Sequence, residues 1–202
     1  MTPFLIVDGI AAAMPAANID TDVIMPKVFL KGIDRRGLAA GLFHDLRFDA
    51  DGQPRPDFIL NRPGYAAARF LLVGPNFGCG SSREHAVWGL RQFGIRALIG
   101  TSFAGIFTDN AANNGLLLLS LDPDRLAPLM AAAEAAPLPL EVDLGDRCIR
   151  HAGGALRFDI DEDARAALMS GLDRIGTSLA KADRIRAFER DYLAERPWLA
   201  DA

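Results

Sequence analysis

The 202-residue chain predicts an α/β fold with some antiparallel pairing, on three observations. Short apolar runs alternate with helical patterns as far as Ser120. Leu138–Leu144 and Cys148–His151 alternate around a Gly145-Asp146 turn, the mark of a hairpin. Between them in importance stands Asn76-Phe-Gly-Cys-Gly-Ser-Ser-Arg-Glu-His85, a glycine-rich link from an apolar run to a helical pattern.

Taken in order, Phe4–Val7 is the first strand candidate, followed by an irregular stretch from Asn18 to Pro26. A short helical stretch is expected near Val28–Ile33. Asp49-Ala-Asp-Gly-Gln-Pro-Arg-Pro56 is polar and broken by proline, so it is expected to be mobile, ordering only against a partner. Phe70–Val73 reads as a buried strand and Glu84–Phe93 as a helix. Ala97–Gly100 is a second buried strand, a helix starts in Ser102–Asn110, and Gly115–Ser120 is a third strand. Leu121–Ala136 has helical spacing broken by Pro128. A strand over Ala155–Ile160 follows the hairpin. Asp161 caps a helix to Gly171, and Asp183 a last one to Ala194. The expected division is a main domain over 1–160 and a helical extension over 161–202.

Composition narrows the function. Half the residues are hydrophobic and the net charge is -4, with basic residues scattered, so there is no nucleic-acid footprint. No apolar run approaches a membrane span, and the N-terminus lacks a secretory pattern, so a cytoplasmic location is expected. The two cysteines, Cys79 and Cys148, have no metal-ligand spacing. A conventional four-iron cluster needs three or four thiolates, so no metal or cofactor is expected on this chain.

The junction at 76–85 carries the chemistry. Unpaired N–H groups at a helix start attract anions, and Gly78 and Gly80 let backbone approach a ligand. Arg83 can fork onto a carboxylate. A small polycarboxylate with a hydroxyl beside it fits this set. Ser81 and Glu84 also have the spacing of a capping box, which alone accounts for those two residues. It leaves Ser82, Arg83, His85 and both glycines unexplained. Asp20 and Asp22 flank Thr21, and one of them can cap a helix. The amides of Asn110, Asn113 and Asn114 suit turn backbone better than ligand. His85 can equally be a residue bonded to a carbonyl.

Three blocks, in order, resemble one family. Asn76 to Ala86 resembles the signature of the aconitase-type swivelling domain, and more closely that of the small subunits of 3-isopropylmalate dehydratase. Asn18-Ile-Asp-Thr-Asp-Val-Ile-Met-Pro-Lys-Val-Phe-Leu30 resembles the family's first block, and Ser102 to Gly115 its third. Gly171-Leu-Asp-Arg-Ile-Gly176 and the helical tail fit the longer bacterial form. Departures are Val87 where relatives carry proline, Leu118-Leu119 where a proline is common, and Leu46 where tryptophan is common.

The resemblance implies a swivelling β/β/α domain, like the fourth domain of aconitase, with a C-terminal helical extension. It implies a hydro-lyase that isomerises 2-isopropylmalate to 3-isopropylmalate through an alkene, in leucine biosynthesis. It implies a large partner subunit that holds a [4Fe–4S] cluster acting as Lewis acid on the departing hydroxide. By the same correspondence Ser81 is the base, as an alkoxide. Arg83 binds a substrate carboxylate, with Ser82 and Gly80 beside it. Asp22 belongs to a carboxylate–histidine network reaching the partner subunit, and Asp22 and His85 count with Ser81 as catalytic residues. Lys31 faces substrate, and Val28 and Leu30 form an apolar wall for the isopropyl group. A sister enzyme acting on homocitrate-like, citramalate or dimethylmalate substrates, or a non-catalytic carboxylate-binding module, shares the same blocks.

Overall fold

The computed structural model describes residues 1–31 and 36–199, with Lys31 and Arg174 described by their backbone alone. Strands β1 (Ile6–Met14), β2 (Ala68–Val73), β3 (Ala97–Gly100) and β4 (Leu117–Ser120) pair in parallel. Strands β5 (Leu138–Asp143), β6 (Cys148–His151) and β7 (Gly154–Arg157) continue the sheet antiparallel from β1. The order across the sheet is β4-β3-β2-β1-β5-β6-β7.

The parallel half is covered on both faces, which is why its strands read as continuous apolar runs. Alternate residues of β2 go to opposite sides. Leu71 and Val73 enter one core, Phe70 and Leu72 the other. The first core is closed by α1 (Thr21–Ile24), α2 (Leu38–Gly41), α4 (Glu84–Phe93) and α5 (Gly105–Asn113), α3 (His44–Arg47) lying at its edge. The second is closed by α6 (Pro123–Ala135) and α7 (Glu162–Ser170), through Leu126, Leu129, Ala133 and Leu168.

Several elements differ from the sequence reading. Strand β1 starts at Ile6 and runs to Met14, well past Val7. Alanines 11–13 are poor strand formers, but β2 pairs with all three and β5 with Ala11, and pairing overrides propensity. The stretch expected to be irregular contains α1, one turn long and set by Asp20, whose Oδ1 accepts from Val23 N at 2.8 Å. The turn after it, Lys27–Lys31, is 3₁₀, and the rest of the expected helix to Ile33 lies outside the described residues. Helix α6 runs through Pro128 unbroken. Strand β7 stops at Arg157, three residues short of the expected end.

The polar segment 49–56 is closed by hydrogen bonds of its own. Asp49 Oδ1 accepts from Asp51 N and Gln53 N, and Asp49 N donates to Gln53 O. Asn61 then ties the segment to the main chain of Arg47 and Arg55.

Asp161 caps α7 as expected, accepting from Ala164 N at 3.0 Å. An additional helix, α8 (Arg174–Leu179), is capped by Asp173. Helix α9 (Ala182–Glu195) starts before Asp183, which sits inside its first turn. No residue of α9 is buried, and Ile185 and Phe188 are exposed.

Candidate active site

Three loops meet at the carboxyl ends of β1, β2 and β3. Open parallel sheets place ligands at that edge. The loops are stitched by backbone bonds. Asn18 N donates to Pro75 O, Gly78 N to Ile19 O and Thr21 N to Cys79 O, all within 2.9 Å. Ala104 N donates to Phe77 O at 3.0 Å, and Asn76 N to Ser102 Oγ at 2.9 Å. Asn18 and Asn76 both adopt left-handed backbone, which asparagine tolerates, and Asn76 Nδ2 donates to Asn18 Oδ1. Phe77 is the buried pin of this junction, edge-on to Phe107 at 5.6 Å between ring centroids.

The two glycines have different reasons. Gly78 has φ +78°, and a Cβ there would lie 2.2 Å from the Phe107 ring. Gly80 has φ +94° and is exposed, with Thr21 Oγ1 and Asp20 Cβ the nearest atoms to such a Cβ at 3.3 and 3.4 Å. The first lets the loop pack down on α5; the second lets backbone turn upward in front of α4.

The capping-box reading of Ser81 and Glu84 does not hold. Arg83 is the N-cap residue of α4, and no side chain caps the helix. Glu84 Oε1 instead accepts from Asn114 Nδ2 at 2.6 Å, and Asn114 Oδ1 accepts from Trp88 Nε1 at 3.0 Å. Asn114 therefore clamps the end of α5 to α4, and its Nδ2 also donates to Asn110 O at 2.8 Å. Ser81 and Ser82 are left exposed at the mouth of α4 with their hydroxyls unused for capping.

Arg83 is the charged centre. Its side chain is only 14% exposed, and Nη1 is fully buried against Asp22 in an ion pair. Its Nη2 donates to Ser81 Oγ at 3.4 Å, a long contact. The Arg83 guanidinium beside Asp22 holds that carboxyl below the usual carboxylate range, partial desolvation opposing it. Within this chain Asp22 thus meets arginine rather than histidine. His85 lies in the first turn of α4, half-buried, its ring 4.6 Å from that of Trp88.

The fold therefore brings Asp22, Ser81 and Arg83 together, with Gly80, Ser82 and His85 adjacent in the chain. Val28 and Leu30 sit on the 3₁₀ turn after α1. Val28 is 66% exposed, and Leu30 packs partly on the first core. The Lys31 side chain lies outside the described residues. The sequence does not single out one further residue: Thr21, whose buried hydroxyl donates to Ser81 O at 3.0 Å. Its only signal is its place between two aspartates in the first block.

Cys79 lies in the loop after β2 and Cys148 in β6. Among the described residues, no group of three or more His, Cys, Asp or Glu could hold a metal ion. The donor set of this chain does not fit an iron–sulfur cluster.

Residues 1–124 match the family model of the aconitase C-terminal domain, and residues 175–202 that of the C-terminal domain of 3-isopropylmalate dehydratase small subunits. The chain is 50% identical over 200 residues to a 3-isopropylmalate dehydratase small subunit 1 of Mannheimia succiniciproducens, covering 98% of this chain and 99% of the relative. It is 54% identical over 203 residues to a small subunit 2 of Salmonella typhimurium, covering 98% and 96%. The crystal structure of a 3-isopropylmalate dehydratase from Methanocaldococcus jannaschii aligns with a TM-score of 0.66 at 26% identity, over 92% of this chain and 99% of that one. By sequence over its whole length and by fold, the chain belongs to the family of 3-isopropylmalate dehydratase small subunits, built on the aconitase C-terminal domain.

Proposed function

We propose that this chain supplies the proton-transfer and carboxylate-binding half of a hydro-lyase that interconverts 2- and 3-isopropylmalate in leucine biosynthesis. Family membership supports the reaction. One observation carries the assignment of the base: Ser81 Oγ stands exposed at the mouth of α4, free of capping, with Arg83 Nη2 directed to it.

The reaction removes a proton from the carbon α to a carboxylate and a hydroxyl from the neighbouring carbon. An ordinary serine is a poor base at neutral pH. The N-terminus of α4 and the guanidinium of Arg83 both favour the anion of Ser81. The Ser81 alkoxide takes the C–H proton, and the C–H electron pair forms the alkene. The C–O bond breaks to release hydroxide, for which the partner's cluster would supply Lewis acidity. Rehydration reverses this at the other carbon, with Ser81 returning its proton. Arg83 has donors left over after Asp22 and Ser81, and these take a substrate carboxylate, with the Ser82 hydroxyl and the backbone near Gly80. His85 stands at the helix mouth as an additional proton-handling group. Val28 and Leu30 offer an apolar wall for the isopropyl group.

The small-subunit family implies a large-subunit partner. In this proposal a [4Fe–4S] cluster belongs to that partner, and the assembly is cytoplasmic. No described helix is long and apolar enough to cross a membrane.

The test is anaerobic co-purification with the large subunit, then turnover of 2- and 3-isopropylmalate. Interconversion through the alkene is expected. In the same assembly Ser81→Ala is expected to lose about 10²- to 10⁴-fold in kcat with the complex intact. A cluster-loaded complex that ignores both isopropylmalates moves the substrate to another substituted malate. An unimpaired Ser81→Ala complex removes Ser81 as the base.

A further inference from the structure

Among the described residues, Thr21 and Asp143 are the buried polar side chains. Asp143 is accounted for by its own turn and by Arg150. Thr21, 2% exposed, occupies the first position of α1, where a hydroxyl has main-chain groups of its own helix close by. It reaches across sixty residues of sequence instead. Its Oγ1 donates to the carbonyl of Ser81 at 3.0 Å, and its N–H to the carbonyl of Cys79 at 2.8 Å.

The Ser81 carbonyl also accepts from Arg83 N at 2.8 Å. Two donors thus use both lone pairs of that oxygen. With the carbonyl pinned to Thr21, the tilt of the 81–82 peptide is fixed. In a trans peptide the N–H points opposite to the carbonyl, so the Ser82 N–H is turned away from the core. Ser82 is exposed, and its N–H finds no acceptor among the described residues. The next residue after Thr21, Asp22, holds Arg83. The dipeptide therefore grips the junction at Cys79, Ser81 and Arg83. Gly80 leaves the space beside it open, since a Cβ there would lie 3.3 Å from Thr21 Oγ1.

We propose that Thr21 is a positioning residue for the reaction: its buried hydroxyl sets the plane of the 81–82 peptide and so aims Ser81 Oγ and the Ser82 N–H at substrate. This rests on the reading of Ser81 as the base. A small error in aim is costly, because reacting atoms must be held close to the attack geometry.

The test uses the assembled enzyme, with each variant co-purified with the large subunit and assayed on 2-isopropylmalate. Thr21→Val keeps the shape and removes the donor. It is expected to lower kcat roughly 10- to 100-fold while KM stays within about threefold. Thr21→Ser keeps the donor and is expected to recover kcat to within about threefold of the parent. Thr21→Val in a Ser81→Ala background is expected to add no further loss, because both act through one group. The carbonyl ¹³C shift of Ser81 in the free subunit reads the bond without assembly. It is expected to move upfield in Thr21→Val and to stay parental in Thr21→Ser.

Parental kcat in assembled Thr21→Val, even with a lower melting temperature, overturns the proposal and leaves Thr21 a packing residue. Equal losses in the valine and serine variants overturn it too, as does an unmoved carbonyl shift. If Ser81→Ala itself turns over normally, the base assignment falls and takes this proposal with it. If Ser81→Ala is inactive and Thr21→Val is not impaired, the positioning role falls alone.

Discussion

Arg83 and Arg150 both meet carboxylates, and they do so in opposite ways. Arg150, on β6 in the antiparallel half, is saturated. Its Nη1 donates to Glu141 at 2.6 Å and to Asp143 at 3.1 Å, and its Nη2 to Asp146 at 2.7 Å. Those bonds raise its pKa above the ordinary arginine value. Arg83, at the edge of the parallel half, has one carboxylate and a long bond to a hydroxyl. Yet Arg83 is the more buried, with a side chain 14% exposed against 41% for Arg150. Desolvating a cation is costly, and the cost is normally offset by partners. A well-partnered arginine at the surface is a staple. An under-partnered arginine in a partly closed site has donors in reserve for a ligand.

The largest effect that tests this contrast is on binding. Arg83→Lys keeps the charge and loses the fork. It is expected to lower kcat/KM for isopropylmalate by roughly 10²-fold, mostly through KM, because a point charge cannot replace two parallel bonds to a carboxylate. Steady-state kinetics of the assembled enzyme decide it. A loss under threefold would make Arg83 as structural as Arg150.

Next in size is a backbone effect on the same edge. Gly78→Ala puts a methyl into the Phe107 ring at a left-handed φ. The expected loss is about 2–4 kcal/mol of unfolding free energy, from overpacking and backbone strain together. Urea denaturation of the free subunit measures it. Gly80→Ala, where the nearest atom is 3.3 Å away, is expected to lose less stability and more activity.

The contrast between these arginines is only half legible in the sequence. The parallel strands are visible because burial on both faces writes an apolar run, as at Phe70–Val73. The junction is visible because glycines, serines and a cation between strand and helix have few other uses. Its wiring is not visible. Ser81 and Glu84 have capping-box spacing, and only Asn114, thirty residues on, takes Glu84 away. Asp22 and Arg83 meet across 61 positions, and Thr21 and Ser81 across sixty. Such pairings follow from strand order, which local patterns do not state. The short helices α1 and α8 escape for another reason. Each is set by one aspartate cap, at Asp20 and Asp173, and a single cap is too common to stand out.

Asp22→Asn is a smaller intervention at Arg83. It keeps the shape and removes the charge that orients the guanidinium. The expected loss is about tenfold in kcat, the scale of one hydrogen bond to a charged group. The pH dependence has a definite sign. Arg83 depresses the carboxyl of Asp22, so the stabilisation from this pair is complete above the ordinary carboxylate pKa. It fades as pH falls through the depressed value. Across neutral pH it is constant, so Asp22→Asn is expected to leave the neutral pH–rate profile unshifted.

The smallest effect on turnover belongs to the saturated arginine. Arg150→Met removes the staple and leaves Glu141, Asp143 and Asp146 without it. Because β6 is remote in the sheet order from β2 and β3, kcat/KM of the assembled enzyme is expected to stay within about twofold. Stability should respond instead, and at acid pH. The carboxyl of Asp143 is held below its ordinary pKa, first by the N–H of Asp146 and then by Arg150. A carboxylate with a depressed folded pKa stabilises above its unfolded value, and that contribution is lost as pH falls through the folded one. Without Arg150 the folded pKa rises, so the acid-unfolding limb is expected to move to higher pH, read by thermal melts between about pH 2 and 5. Both halves of the outcome matter. An acid limb that stays put would mean the turn alone holds Asp143. A fall in kcat with an intact fold would mean that the antiparallel half reaches the site, and that partner count alone does not separate a staple from a ligand-binding arginine.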